Sequence, residues 1–336
     1  MGYNFKMNRE RNLEKNNKKN LTLFSCLGDK DAKKDNKNKK EIFIILDSDA
    51  LLYRSYYALP ALTTDKGELV NAVYGFLLIF LKVVKEFNPD YIAAAFDFPA
   101  PTFRHQRFKD YKSQREKTPD DLRAQFPLIK EILKAFRVPI FEVKGFEADD
   151  IIGTLARKIT EENQKIEIMI VSGDKDIISL VNKQIKVYFL KKGVKSAVFY
   201  DEEKVKEEYH LTPDQLIDFK ALRGDPSDNI PGVPGIGEKT AIDLIKKFNS
   251  LEELYKAIEN KNNLEIKSSL KENLLKHKKE AIVSKELVMI NCQVPVSFKI
   301  KDCYWKNYKK EEVIDIFQKY GFKTLISRLN KLNCAV

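Results

Sequence analysis

Three short, almost wholly apolar runs in this 336-residue chain each deliver acid at their C-terminal end. IFIILD closes on Asp47, YIAAAFD closes on Asp97, and IEIMIVSGDKD passes through residues 168–171 to reach Asp174 and Asp176. Unbroken apolar runs of this length suit parallel strands buried on both faces. Sheets of that kind bind ligands outside the carboxyl ends of their strands. The pattern predicts an α/β domain in which these acids share one crevice.

The rest of the chain falls into place around those runs. Residues 71–87 and 121–136 read as amphipathic helices, VPIFEV (138–143) as another strand, and KVYFL with SAVFY as a β-hairpin. After Thr212 the chain turns mostly helical, and a Pro/Gly-rich segment over 224–237 marks a change of subregion. Residues 1–40 are Asn- and Lys-rich, hold 12 Lys/Arg against 5 Asp/Glu, and read as a disordered basic tail. Most of the formal charge of +11 therefore sits in that tail.

GFEADDIIGTLARKI adds Glu147, Asp149 and Asp150 at the start of a predicted helix. One acid there complements the helix dipole, but three within four positions repel one another. LRGDPSDNIPG adds Asp225 and Asp228. Nine carboxylates around one crevice repel and lose hydration, a cost that hard, oxygen-ligated cations such as Mg²⁺ or Mn²⁺ remove. Two such ions about 4 Å apart suit in-line phosphoryl displacement. The three histidines (His105, His210, His277) show no metal-ligand spacing, and no nucleophile elbow or P-loop occurs.

Two further segments suit nucleic acid. PAPTFRHQRFKDYKSQREKTPDDLRAQ interleaves Arg104, Arg107, Lys109, Lys112 and Arg115 with Phe103, Phe108 and Tyr111, a mixture for phosphates and unpaired bases. A plain basic helix explains the charges nearly as well. In GVPGIGEKTA, Gly235 and Gly237 at a helix start let the backbone approach a phosphate, with Lys239 and Thr240 beside them. Such a hairpin grips a duplex backbone without reading bases.

The four cysteines (Cys26, Cys292, Cys303, Cys334) form no Cys-x-x-Cys pair, so neither a zinc site nor a disulfide framework is indicated. Free thiols fit a reducing cytoplasm. The most apolar stretch, residues 77–84, is too short to span a bilayer and no signal-peptide core is present, so no membrane partner is expected.

LDSDALLYRSYYALP, FDFPAPTFR, YKSQR, GFEADDIIGTLA, SGDKDI and RGDPSDNIPGVPGIGEKTA occur in the order and spacing of a known family. Over residues 41–331 the chain resembles the 5′-nuclease domain of bacterial DNA polymerase I, and more distantly the phage and flap endonucleases. The resemblance implies a PIN-like, Rossmann-like, mostly parallel sheet flanked by helices, with a helical arch and a C-terminal helix-hairpin-helix (helix-three-turn-helix) subdomain. Its units are the 5′-3′ exonuclease N-terminal resolvase-like catalytic domain over 41–211 and the C-terminal DNA-binding domain over 212–331. Metal-binding acids carry over to Asp47, Asp97, Glu147, Asp149, Asp150, Asp174, Asp176, Asp225 and Asp228. Lys112 and Arg115 take the arch's contact with the scissile phosphate, Tyr111 is available for base stacking, Arg104 is expected to touch substrate, and Arg54 is a further candidate DNA contact. A K⁺ ion is expected near Gly235 and Gly237.

The implied activity is a two-Mg²⁺ 5′-3′ exonuclease and flap endonuclease that removes RNA primers and displaced flaps. Its expected partners are branched, flapped or nicked DNA and RNA–DNA primer junctions, with a DNA polymerase in trans as a candidate and a monomer as the expected state. The chain stops where a polymerase I continues, so a nuclease alone, or the nuclease part of a larger polymerase, is expected. A noncatalytic junction-binding protein is the competing reading, and an RNA-directed PIN-like nuclease is disfavoured by the duplex-gripping hairpin. Ser48 stands where the family usually has Gly, and Asp49 adds an acid next to it.

Overall fold

The chain folds around a six-stranded sheet. The computed structural model describes residues 40–194, 196–260 and 266–332. The tail over 1–40 lies outside them apart from Lys40, as do Cys26 and Cys334.

Strands β1 (Glu41–Asp47), β2 (Tyr91–Ala95), β3 (Ile140–Phe141), β4 (Ile166–Ser172), β5 (Ile185–Lys192) and β6 (Ser196–Tyr200) lie in the order β3-β2-β1-β4-β5-β6. All neighbours pair parallel except β5 with β6, the predicted hairpin. Because successive side chains on a strand point to opposite faces, β1 feeds two cores. Phe43 and Ile45 join one and Ile44 and Leu46 the other. The chain order reverses at β1, with β2 on one side and β4 on the other, and such a switch point opens a crevice at the carboxyl edge. Asp47 ends β1 at that edge.

Helices α1 (Ser48–Ala58) and α2 (Asn71–Phe87) follow β1. The segment after β2 carries a five-residue α3 (Phe103–Arg107). The helix expected over 121–136 is divided into α4 (Asp120–Arg123) and α5 (Gln125–Ala135). Pro127 has no N–H to donate to the Arg123 carbonyl, which removes the hydrogen bond that would join them. Only two residues of VPIFEV form strand, because β3 is an edge pairing with Ala94 and Ala95 alone and Pro139 precedes it.

Helix α6 (Ala148–Glu162) covers one face of the sheet, and α7 (Glu202–Tyr209) follows β6. Helices α8 (Gln215–Arg223), α9 (Glu238–Phe248), α10 (Leu251–Glu259), α11 (Ser268–Lys276) and α12 (Lys278–Val288) extend that same core as a helical subdomain. Helices α13 (Lys310–Lys319) and α14 (Lys323–Asn330) instead return to the opposite face. There Trp305, Val313, Phe317, Phe322 and Leu325 pack with Phe80 and Phe136. Trp305 N–H donates to the Asp90 carbonyl and Tyr304 bridges Tyr91, which ties this return to β2. The last helices of the expected 212–331 unit thus pack into the core on the face of the sheet opposite α8–α12. Among the described residues no helix is long and apolar enough to cross a membrane.

Candidate active site

The carboxyl edge opens into a cavity of about 1140 Å³ whose lining includes Asp47, Asp49, Asp97, Glu147, Asp149 and Asp174. Two hydrogen-bond relays, one from the N-cap of α1 and one from its first turn, hold four of these acids, Asp47, Asp49, Asp97 and Asp174. In one, Asp47 caps α1 by accepting from Ala50 N–H at 3.3 Å, while its other oxygen accepts from the Ser172 hydroxyl. Ser172 Oγ accepts from Asp174 N–H at 2.8 Å, and Asp174 accepts from Asp176 N–H at 2.9 Å. In the other, Asp49 accepts from Asp97 N–H at 2.8 Å, and Asp97 accepts from Ala148 N–H at 2.6 Å at the start of α6.

The outer acids are tied by cations of the chain itself. Lys220 donates to both Asp176 and Asp225, at 2.7 Å in the second case. Arg115 donates to Asp228 at 2.5 Å, and Lys112 donates to Glu147 at 3.0 Å. Asp150 is fully buried beneath the crevice, gripped by Arg104 and by Asn291 N–H. All nine predicted acids thus belong to one connected electrostatic set.

Burial and mutual repulsion mark that set. Burial, with Asp174 and Asp97 adding to it, pushes Asp47 up to about 7 despite the Ser172 hydrogen bond. Burial and then Asp174 push Asp176 up to about 6. Burial also raises Asp49, Asp97 and Asp149, with Asp97 adding to the first and Asp47 and Asp174 to the last. Elsewhere the chain's cations win. Burial would raise Glu147, but Lys112 and Arg104 hold it below its ordinary value, and against the same tendency Lys220 keeps Asp225 down at about 2.

The crevice is therefore an anionic, oxygen-only donor set whose charge is only partly compensated from within. Its donor chemistry fits a hard divalent cation. Among the described residues no three Asp, Glu, His or Cys side chains are spaced to hold one ion as they stand. Lys112, Arg115 and Lys220 occupy oxygens of Glu147, Asp228, Asp176 and Asp225. The histidines take no part: His105 accepts from Thr102 N–H, His277 pairs with Glu280, and His210 caps the end of α7.

The expected helical arch is a strap instead. After α3 it runs through turns, with Lys112 at φ 53° and its N–H on the Asp228 carbonyl. Lys112 and Arg115 line the cavity. Arg104 and Tyr111 do not. Arg104 is 2% exposed, with its guanidinium on Asp150 and on the Leu287 and Met289 carbonyls, so its donors serve the fold rather than a substrate. Tyr111 is 3% exposed, packs beside Ile230, Leu287 and Val288, and donates to Glu147 at 3.0 Å, so its ring is not presented for stacking. Arg54 lines the cavity, where it donates to the Gly173 and Lys191 carbonyls.

The hairpin between α8 and α9 is built on close backbone approach. A Cβ on Gly232 would lie 2.2 Å from Gly224 N, so only glycine fits that crossing. Gly235 takes φ +81°, and a Cβ on Gly237 would meet nothing within 4 Å, which leaves the backbone open ahead of α9. Gly235, Gly237 and Lys239 are exposed and Thr240 partly so.

Sequence reasoning missed Ser172 and Lys220 and gave Asp49 no role. Ser172 lies in the quoted SGDKDI motif, directly before the glycine, where a small hydroxyl at a buried strand end was the available signal. Lys220 sits five residues before Asp225 on a helix face that apolar periodicity alone does not distinguish from solvent.

Residues 42–210 match the family described as 5′-3′ exonuclease, N-terminal resolvase-like domain, and residues 211–311 match 5′-3′ exonuclease, C-terminal SAM fold. The chain is 43% identical over 293 residues to DNA polymerase I of Bacillus subtilis (strain 168), across 87% of this chain and 33% of that protein. It is 37% identical over 294 residues to DNA polymerase I of Lactococcus lactis, across 86% and 33%. It spans about a third of the length of the curated relatives it matches. Among solved structures, a T5 5′-exonuclease with bound divalent zinc superposes with TM-score 0.60 at 19% identity, covering 87% of this chain and 98% of that one. The catalytic core of Rad2 in complex with DNA substrate superposes with TM-score 0.58 at 15% identity, covering 87% and 93%. At these identities the two structures establish a shared fold.

Proposed function

The chain belongs to the 5′-3′ exonuclease family, and from that premise we propose that its acidic crevice hydrolyses DNA phosphodiester bonds at 5′ ends and 5′ flaps with two Mg²⁺ ions. The observation that carries this reading is the convergence of carboxylates from β1, β2, α6 and β4 at one carboxyl edge, overfull of negative charge. When bound, the two cations supply Lewis acidity toward the phosphoryl oxygens and toward water.

The chain's own residues do the rest. The two relays hold Asp47, Asp97 and Asp174 in place in the lining of the cavity. Lys112 and Arg115 exchange their carboxylate partners for the phosphate beside the scissile bond, which places positive charge where the displacement builds negative charge. Water adds to phosphorus, giving up a proton to solvent, as the P–O3′ bond breaks. The departing oxygen takes a proton to become a 3′-hydroxyl, and the phosphate remains on the 5′ end of the downstream product. Gly235, Gly237, Lys239 and Thr240 hold the duplex backbone, and a K⁺ ion held near Gly235 and Gly237 would add positive charge toward the phosphate.

The substrates are flapped, nicked or otherwise branched DNA and RNA–DNA primer junctions in replication and repair. The chain works as a monomer in the cytoplasm beside a DNA polymerase, in trans or on the same polypeptide. The test is a labelled 5′-flap, a nicked duplex and a single strand, each incubated with Mg²⁺ and with EDTA. Cutting of flap and nick that stops in EDTA supports the reading. Equal cutting of all three substrates, or cutting that survives EDTA, contradicts it.

A further inference from the structure

Asp49 is an acid to which sequence reasoning assigned no role, and the structure gives it a defined partner. β2 ends at Ala95, and Phe96 N–H still donates to the Phe141 carbonyl. Asp97 N–H lies one residue past that ladder, where the sheet offers it no carbonyl. Asp49 Oδ2 receives it at 2.8 Å, from the first turn of α1. The N–H lies at the crevice mouth, where Asp49 and not the sheet supplies its acceptor. The contact therefore sets the backbone of Asp97 and, with it, the direction of its carboxylate.

That carboxylate in turn receives Ala148 N–H at 2.6 Å, at the start of the helix carrying Asp149 and Asp150. Asp49 thus sits at the head of a relay joining α1, the end of β2 and the start of α6. Each of these elements delivers acid to the crevice. The other relay, from the N-cap of the same helix through Asp47, Ser172 and Asp174, holds the β4 side. Without Asp49 the β2 side has no counterpart to it.

We propose that Asp49 is a positioning residue that fixes the Asp97 carboxylate in the crevice by accepting the Asp97 N–H. The proposal rests on the nuclease reading of the site. It requires an acceptor oxygen at position 49 rather than a charge, so an asparagine there does most of what the aspartate does and an alanine does not.

The experiment compares the full chain with Asp49→Ala and Asp49→Asn in three measurements. These are Mn²⁺ affinity by calorimetry without DNA, hydrogen exchange of the Asp97 amide, and kcat and KM on a 5′-flap. Asp49→Ala is expected to weaken Mn²⁺ binding and lower kcat by about tenfold, the scale of outer partners of metal ligands. KM should stay unchanged, and the Asp97 amide should lose protection. Asp49→Asn is expected to restore most of each. Alanine behaviour equal to the unsubstituted chain, or asparagine as impaired as alanine, overturns the proposal. If the unsubstituted chain cuts nothing, the nuclease reading fails, while the Mn²⁺ and exchange measurements still decide the role of Asp49.

Discussion

Arg104 grips Asp150 with both prongs of its guanidinium, Nη1 to Oδ2 at 2.7 Å and Nη2 to Oδ1 at 2.8 Å, beneath the crevice rather than within it. Removing one partner of a buried, hydrogen-bonded ion pair strands the other charge and costs about 3–5 kcal/mol. Arg104→Ala should lower stability on that scale in urea unfolding. It also releases the Leu287 and Met289 carbonyls and so loosens the strap from α12. Arg115→Ala, whose side chain is half exposed, should change stability by less than about 1 kcal/mol and lower kcat instead. A normal unfolding midpoint for Arg104→Ala contradicts this division of labour.

Crowded acids make the ion-free protein sensitive to pH. Asp47 at about 7 and Asp176 at about 6 bind protons more tightly in the folded chain than at their ordinary value of 3.8. The stability they contribute is full below that ordinary value and is lost as pH rises through about 6 and 7. In EDTA the melting temperature should therefore fall from pH 5.5 to pH 8, and saturating Mg²⁺ should remove much of that fall. A flat profile in EDTA contradicts the assignment.

The same crowding makes a functional substitution stabilising. Asp149 is raised by burial and by its neighbours Asp47, Asp174 and Asp176. Asp149→Asn should stabilise the ion-free protein at pH 8 by about 1 kcal/mol while abolishing cutting, as when a strained site is relaxed at the cost of activity. Denaturant unfolding in EDTA, beside a flap-cutting assay, reads both effects.

At the hairpin, Lys239→Ala should weaken binding to duplexes of any sequence alike and reduce the slope of log affinity against log salt by about one. Gly237→Ala, in open space at a φ of −88°, should leave stability nearly unchanged yet weaken duplex binding. Fluorescence anisotropy across a salt series measures both. Sequence-selective loss in Lys239→Ala would argue against a backbone grip.

What the sequence made legible was set by strand ends. A parallel strand buried on both faces announces itself as an apolar run, and the residue that stops the run is placed at the sheet edge. Asp47, Asp97 and Asp174, which line the crevice together, are therefore assignable to one site from the strand pattern alone. The inward turn of Arg104 and Tyr111 was not legible. A basic, aromatic segment looks the same whether its side chains face phosphate or a buried carboxylate, and the outcome depends on Asp150, Asp228 and α12, far away in sequence. Nor does local pattern reveal that α13 and α14 leave the helical subdomain. Trp305 and Phe317 are apolar wherever they pack, and the choice of the Phe80 and Phe136 face is tertiary.

The central claim is that the carboxylates at the sheet edge act by holding divalent cations for hydrolysis and are not needed to hold DNA. The most direct measurement is the single-turnover rate on a 5′-flap duplex in Mg²⁺ for the unsubstituted chain and for Asp174→Ala, beside flap affinity for each in Ca²⁺. The expected result is loss of cutting in Asp174→Ala with flap affinity kept within about twofold in Ca²⁺, since phosphate contacts carry the binding. Full cutting by Asp174→Ala in Mg²⁺ would contradict the claim.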